Sequence, residues 1–111
     1  LRDDSVYVAH ILECIRRIEL NVAEGEDVFR SSLTVQDAVL RNLQTMCEST
    51  PRLSVAAKAK HPQVEWRKIA AFRNVLVHEY MGIKVDRVWA IIQEELPSLK
   101  QAAEMLSADL Q

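Results

Sequence analysis

The stretch from Val85 to Leu110, VDRVWAIIQEELPSLKQAAEMLSADL, decides the fold class. Val85, Val88, Ile92, Leu96, Leu99, Ala103, Leu106 and Leu110 recur at steps of three and four, with Trp89 beside Val88. That period marks one face of a helix, and an apolar stripe of this length requires a partner all along it. Pro97 lies inside the run. A proline removes a backbone donor and clashes with the carbonyl four residues back, so a kink or a break between two helices is expected there.

Working towards the start of the chain, the same period returns three times. Tyr7, Ile11, Cys14, Ile15, Ile18 and Val22 form one apolar face, preceded by Asp3 and Asp4 and stopped at Gly25; acidic residues suit the positive end of a helix and glycine its exit. Residues 24–33 are polar and broken, and read as a connection or a short frayed turn. Thr34 is then expected to cap a second helix, with Asp37 at the capping-box position. Val39, Leu43, Met46 and Cys47 carry its core face, and Pro51 closes it. Ser54 starts a short helix through Lys60, His61-Pro62 interrupts, and a further helix is predicted from near Val64 to about Tyr80, with Gly82 as its exit. Two glycines and three prolines in 111 residues leave few tight turns, which favours helices over a many-stranded sheet. The expected fold is all-α, an antiparallel bundle of four or five helices, with residues 1–111 as one domain.

Composition narrows the function. Hydrophobic residues make up 49% of the chain and charged residues 27%, a balance typical of globular domains. The net charge of −2 argues against a protein that coats nucleic acid indiscriminately, but leaves room for a local basic cleft. Cys14 and Cys47 are too few for a disulfide framework, and neither a secretory signal nor a membrane-spanning run is visible, so a cytoplasmic protein with reduced thiols is expected.

The segment Arg73-Asn74-Val75-Leu76-Val77-His78-Glu79-Tyr80 concentrates the chemistry. On a helix, Ile69, Phe72 and Leu76 share one side and point into the bundle. Measured from Arg73, Tyr80 falls about 20° away, Asn74 about 100° and His78 about 140°, which makes a broad polar stripe beside the core face. Asn74 and His78 form an i,i+4 pair, whereas Arg73 and His78 do not stack. An imidazole, with an ordinary pKa of about 6.5, can move a proton to or from a ribose hydroxyl or a leaving oxygen. A guanidinium can hold a phosphate through two hydrogen bonds and stabilise charge that builds on it. With no Asp/His/Glu cluster at metal-ligand spacing, these residues suit metal-independent RNA cleavage by the neighbouring 2′-hydroxyl, without a cofactor. Arg73 and His78 are the catalytic candidates, and Asn74 supports them by orienting the histidine or touching the sugar-phosphate. On spacing alone the alternative is a surface arginine and a helix-end histidine.

The stretch from Trp66 to Tyr80, WRKIAAFRNVLVHEY, resembles the signature of HepT-like proteins, a branch of the HEPN superfamily of helical ribonucleases. Arg73, His78 and Tyr80 match the R-x-x-x-x-H-x-Y pattern of that branch. The likeness extends over nearly the whole chain: Arg2-Asp3-Asp4 with His10-Ile11-Leu12-Glu13 is similar to the opening helix, Gln36 to Leu43 to the second, and Val88-Trp89 with Leu96-Pro97-Ser98-Leu99 to the ending. Two places differ: Cys47-Glu48-Ser49 stands where members often have Gly-Glu-Ala, and Ala71-Phe72 where they often have Gly-Met.

The resemblance implies an endoribonuclease toxin paired with a minimal nucleotidyltransferase (MNT) antitoxin. It further implies a homodimer, within a larger hetero-oligomer or alone, in which Arg73 and His78 of both chains line one cleft around an RNA substrate. Tyr80 would be the residue to which the antitoxin attaches AMP, adding bulk and negative charge close to Arg73. The competing function is a non-catalytic HEPN subunit that binds the nucleotidyltransferase or a nucleotide.

Other residues read more plainly. Trp66, Trp89 and Phe72 are expected in the core or an interface, and His61 in a turn. His10 and Cys14 sit at i,i+4 but lack further ligands, so they read as a structural pair and not as a metal site. Glu48 and Arg41 could support the cleft from the second helix, but the plainer expectation is that they are solvated or paired within their own helix.

Overall fold

A computed structural model of the chain describes residues 2–79 and 82–110. Among these residues there are seven α-helices and no strand. Five have ten residues or more and make the bundle: α1 (Arg2–Asn21), α3 (Leu33–Ser49), α5 (Trp66–His78), α6 (Val85–Glu94) and α7 (Leu96–Asp109). Two are short, α2 (Glu26–Ser31) and α4 (Val55–Ala59), and a single 3₁₀ turn spans Thr50–Arg52. The expected all-α bundle is therefore the one that forms.

Helix α3 occupies the centre, packed against α1 on one side and α5 on the other, and α1 also packs against α7. Its core face is the predicted one: Val39, Leu43 and Met46 are fully buried and Cys47 nearly so. From α1, Ile11, Ile15 and Ile18 meet it, again as the period requires, with Tyr7 and Val22 half-buried at the margins. No helix of the described residues is long and apolar enough to cross a membrane.

The polar segment after α1 departs from expectation. Gly25, at a φ of 100°, reverses the chain, and its backbone N–H donates to the Val22 carbonyl at 2.9 Å. The next residues are not a mere connection, because α2 inserts Phe29 into the core, where it is 1% exposed and its ring centroid lies 5.2 Å from that of Trp89. Arg30 of α2 pairs with Glu26 at 2.8 Å and reaches Asp86 of α6. The cap of α3 also shifts: the Ser32 hydroxyl, not Thr34, accepts from a backbone N–H, that of Val35, at 3.1 Å. Thr34 lies inside the helix because Ser32 already has the extended backbone of a cap, with φ −112° and ψ 109°. Gln36 secures the junction by donating to the carbonyls of Phe29 and Arg30.

Ser54 caps α4 as expected, accepting from Ala57 N at 3.1 Å. Its own N–H and hydroxyl both donate to Asp4, at 2.8 and 2.7 Å. Helix α1 begins at Arg2, so Asp4 lies within its first turn, at the positive end where it was expected, and ties α1 to α4. The bonds from the Ser54 hydroxyl, and then from its backbone N–H, hold the Asp4 carboxyl below the usual carboxylate range.

At the other end, the break at Pro97 is real: α6 stops at Glu94 and α7 starts at Leu96. Glu95, in the gap, is 5% exposed, and its carboxylate meets Lys68 of α5 at 2.8 Å. Leu110, placed on the apolar stripe, is 44% exposed, while Ile91 and Ala102 join the core instead.

Two outcomes follow from this packing. Phe29→Ala should lower the unfolding free energy by about 3–5 kcal/mol in urea titration, the range for losing a buried aromatic side chain; a loss near zero would show that α2 is not part of the core. For Asp4, a folded-state pKa below its ordinary value of 3.8 means stability that is present above that value and lost as pH falls through the lowered one. Asp4→Asn should therefore melt earlier than wild type at pH 7, with the gap closing in acid. A gap unchanged down to pH of about 2 would contradict the Asp4–Ser54 link.

Candidate active site

Helix α5 is fixed at its start by an indole and along its length by three apolar side chains. No side chain caps it at Glu65; instead, Trp66 Nε1 donates to the carbonyls of Lys58 and His61, at 3.1 and 3.0 Å. His61 is a turn residue, as expected, but a buried one at 5% exposure. Ile69, Phe72 and Leu76 are 1–3% exposed and settle the rotation of the helix. Arg87 of α6 covers the Phe72 ring, with its guanidinium carbon 5.6 Å from the centroid.

This rotation leaves Arg73 half-buried and Asn74 and His78 exposed. Arg73 Nε lies 3.7 Å from Glu48 Oε2 of α3, and Arg73 Nη1 donates to Asn74 Oδ1 at 3.4 Å. Glu48 is thus neither simply solvated nor paired within its own helix: it reaches across to the motif arginine. The sequence offers this only as the lesser of two readings, support of the cleft from the second helix. Both ends of the pair are about four-tenths exposed, so it positions Arg73 more than it stabilises the fold.

Arg73 and Glu48 line a groove of about 720 Å³ together with Tyr7, His10 and Arg52. His78 lies outside that groove, at the last turn of α5, where the Glu79 N–H donates to the Val75 carbonyl at 2.9 Å. Among the described residues no hydrogen bond joins Arg73 to His78. Five helical positions separate them by roughly 7.5 Å of rise and about 140° of rotation. Asn74 is brought to Arg73, not to His78. The helix ends at His78, two residues before the expected end; Tyr80, with the position expected for it beside Arg73, lies outside the described residues.

Other reactive groups are set apart from this chemistry. Burial pushes the Cys47 thiol up to about 12, which keeps it protonated and poorly nucleophilic. Cys14 is buried and its thiol is also raised by desolvation, whereas its i,i+4 neighbour His10 is exposed. Among the described residues no group of three or more His, Cys, Asp or Glu side chains is arranged to hold a metal ion.

Comparison with known proteins identifies the family. The model of the "Ribonuclease HepT-like" family matches residues 11–106. A "Gamma-glutamylcyclotransferase and putative RNase" of Methanocaldococcus jannaschii is 31% identical over 90% of this chain, which spans 46% of that longer protein. A "Probable ribonuclease HepT" of Thermococcus cleftensis is 35% identical over 95% of this chain and 96% of its own length. An "mRNA nuclease HepT" of Shewanella oneidensis is 25% identical over 92% of this chain and 94% of its own. No solved structure matches. With the family model covering the motif helix and most of the bundle around it, the chain belongs to the ribonuclease HepT-like family.

Proposed function

We propose that the protein is a metal-independent endoribonuclease toxin, acting in the cytoplasm as a homodimer in which Arg73 of one chain and His78 of the other complete each cleavage site. The observation that carries this reading is the separation of the two side chains within one chain. Arg73 is held in a groove beside α3 by Glu48, while His78 is exposed at the end of α5 and outside that groove. Two α5 helices facing each other bring the arginine of one to the histidine of the other. Family membership supports RNA as the substrate.

In the proposed reaction, the neutral His78 imidazole takes the proton of a ribose 2′-hydroxyl, and that oxygen attacks the adjacent phosphorus. The bond from phosphorus to the 5′ oxygen breaks, and the leaving oxygen takes a proton from water; the resulting hydroxide is neutralised by the imidazolium. The products are a 2′,3′-cyclic phosphate and a 5′-hydroxyl. The charge that builds on the phosphoryl oxygens is met by the Arg73 guanidinium. Asn74, bonded to Arg73, keeps that guanidinium in register.

Control is proposed to reside in Tyr80. A minimal nucleotidyltransferase antitoxin would bring ATP so that the tyrosine hydroxyl attacks the α-phosphorus and pyrophosphate leaves. The AMP placed two residues from His78 then blocks RNA by bulk and negative charge.

Purified protein should cleave single-stranded RNA in EDTA and leave cyclic-phosphate ends, with His78→Ala slower by about 10²–10⁴-fold, the range for a lost general base. Wild type and variant equally inactive on varied RNAs, while both still bind the antitoxin, would leave a non-catalytic subunit as the function. Coexpression with the antitoxin should raise the intact mass by one or more AMP units located on Tyr80. Full silencing of Tyr80→Phe, with label on another residue, would rule out this switch.

A further inference from the structure

The groove that holds Arg73 does not stop at the motif. A second groove, of about 310 Å³, opens from it between α1 and α3, and the two meet at His10 and Thr45. In a protein of net charge −2, this joint channel carries four arginines, Arg17, Arg41, Arg52 and Arg73, against Glu13 and Glu48. Both glutamates are already engaged. Arg16 and Arg17 hold Glu13, at 2.6–2.9 Å, and keep its carboxyl down at about 2; Arg73 lies against Glu48. Among the described residues neither Arg41 nor Arg52 has a carboxylate partner, so two guanidinium charges of the channel are not neutralised by any of them.

Aromatic surface lies between them. The Arg52 guanidinium carbon is 5.8 Å from the centroid of the Tyr7 ring, and its Nη1 donates to the Tyr7 hydroxyl at 3.4 Å. His10 meets the same ring edge-on, with centroids 6.4 Å apart and planes at 82°. Spaced guanidiniums with a phenol and an imidazole between them match a strand of alternating phosphates and flat bases. A lipid surface would call for exposed apolar side chains, and an acidic peptide gives no use for the rings.

We propose that this channel along α1 and α3 carries the single-stranded RNA that flanks the cleaved bond, with Arg52 and Arg41 on its phosphates and a base against Tyr7 and His10. The identity of the strand rests on the ribonuclease reading, because Arg73 lines the same groove. The channel then sets how far from its own 5′ or 3′ end an RNA can be cut. It also makes productive binding depend on unpaired RNA, since bases in a duplex cannot reach the rings.

Binding is measured by fluorescence anisotropy with a short labelled single-stranded oligoribonucleotide, in a His78→Ala background that leaves the RNA intact. Arg52→Ala and Arg41→Ala should each weaken binding by about 5- to 10-fold and reduce the slope of log affinity against log salt by about 0.7. Tyr7→Ala should weaken it by about 5- to 100-fold, whereas Tyr7→Phe, which keeps the ring and the packing, should hold affinity within about threefold. Lys100→Ala, which removes one charge from α7 away from the channel, should change little. If the otherwise wild-type enzyme cleaves RNA and these variants move neither its KM nor the affinity, the channel is overturned and the nuclease reading stands. If no RNA is cut yet the variants still lose binding, the channel stands without the nuclease. RNA affinity intact but binding to the nucleotidyltransferase lost would overturn it in favour of a protein-docking face, and failure of any RNA to bind would overturn it outright.

Discussion

The seating of α5 on α3 is the constraint on which the rest depends. Ile69, Phe72 and Leu76 are buried at one face of α5, and Leu43 and Met46 are fully buried on α3, the helix it packs against. With close-packed side chains on both sides, the helix has one rotation available to it. That rotation places Arg73 half out of the core, close enough to α3 to meet Glu48, and turns Asn74 and His78 to solvent. An apolar contact thus decides the direction of each polar group. A volume change at Phe72, the residue before the motif arginine, would be felt first at Arg73.

Charge refines what packing sets. Lys68 holds the buried Glu95 carboxylate across the gap between α6 and α7, joining the outer face of α5 to the break at Pro97. On the other side Glu48 aligns the motif arginine at the head of a groove whose other arginine, Arg52, has no carboxylate partner among the described residues. In the channel along α1 and α3 the arginines outnumber the glutamates, and both glutamates are engaged by arginines, which favours a negatively charged ligand there.

Much of this was legible in the sequence, for identifiable reasons. The periods of α1, α3, α5 and α7 are long enough to average out exceptions, and Ser54 and Pro97 act through local backbone chemistry. What escaped depends on contacts distant along the chain. Phe29 is one aromatic in a polar stretch, and no period reveals that Trp89 awaits it. The cap was expected at Thr34, and the extended backbone at Ser32, braced by Gln36, moves it two residues earlier. For Glu48 the cleft was the lesser of two readings, because its partner lies 25 residues away on another helix. The motif itself was readable as a pattern; the placement of Arg73 and His78 in different surroundings was not.

That separation is the basis of the central claim, that a site is completed across two chains. The direct measurement is cleavage by a mixture of Arg73→Ala and His78→Ala proteins, unfolded together and refolded so that mixed dimers form. A mixed dimer then contains one intact pair, His78 from the first variant and Arg73 from the second. With a shared site, the mixture should cleave RNA well above the sum of the two variants assayed alone. A mixture no more active than that sum, with mixed dimers verified by mass, would mean that each chain supplies both residues to its own site.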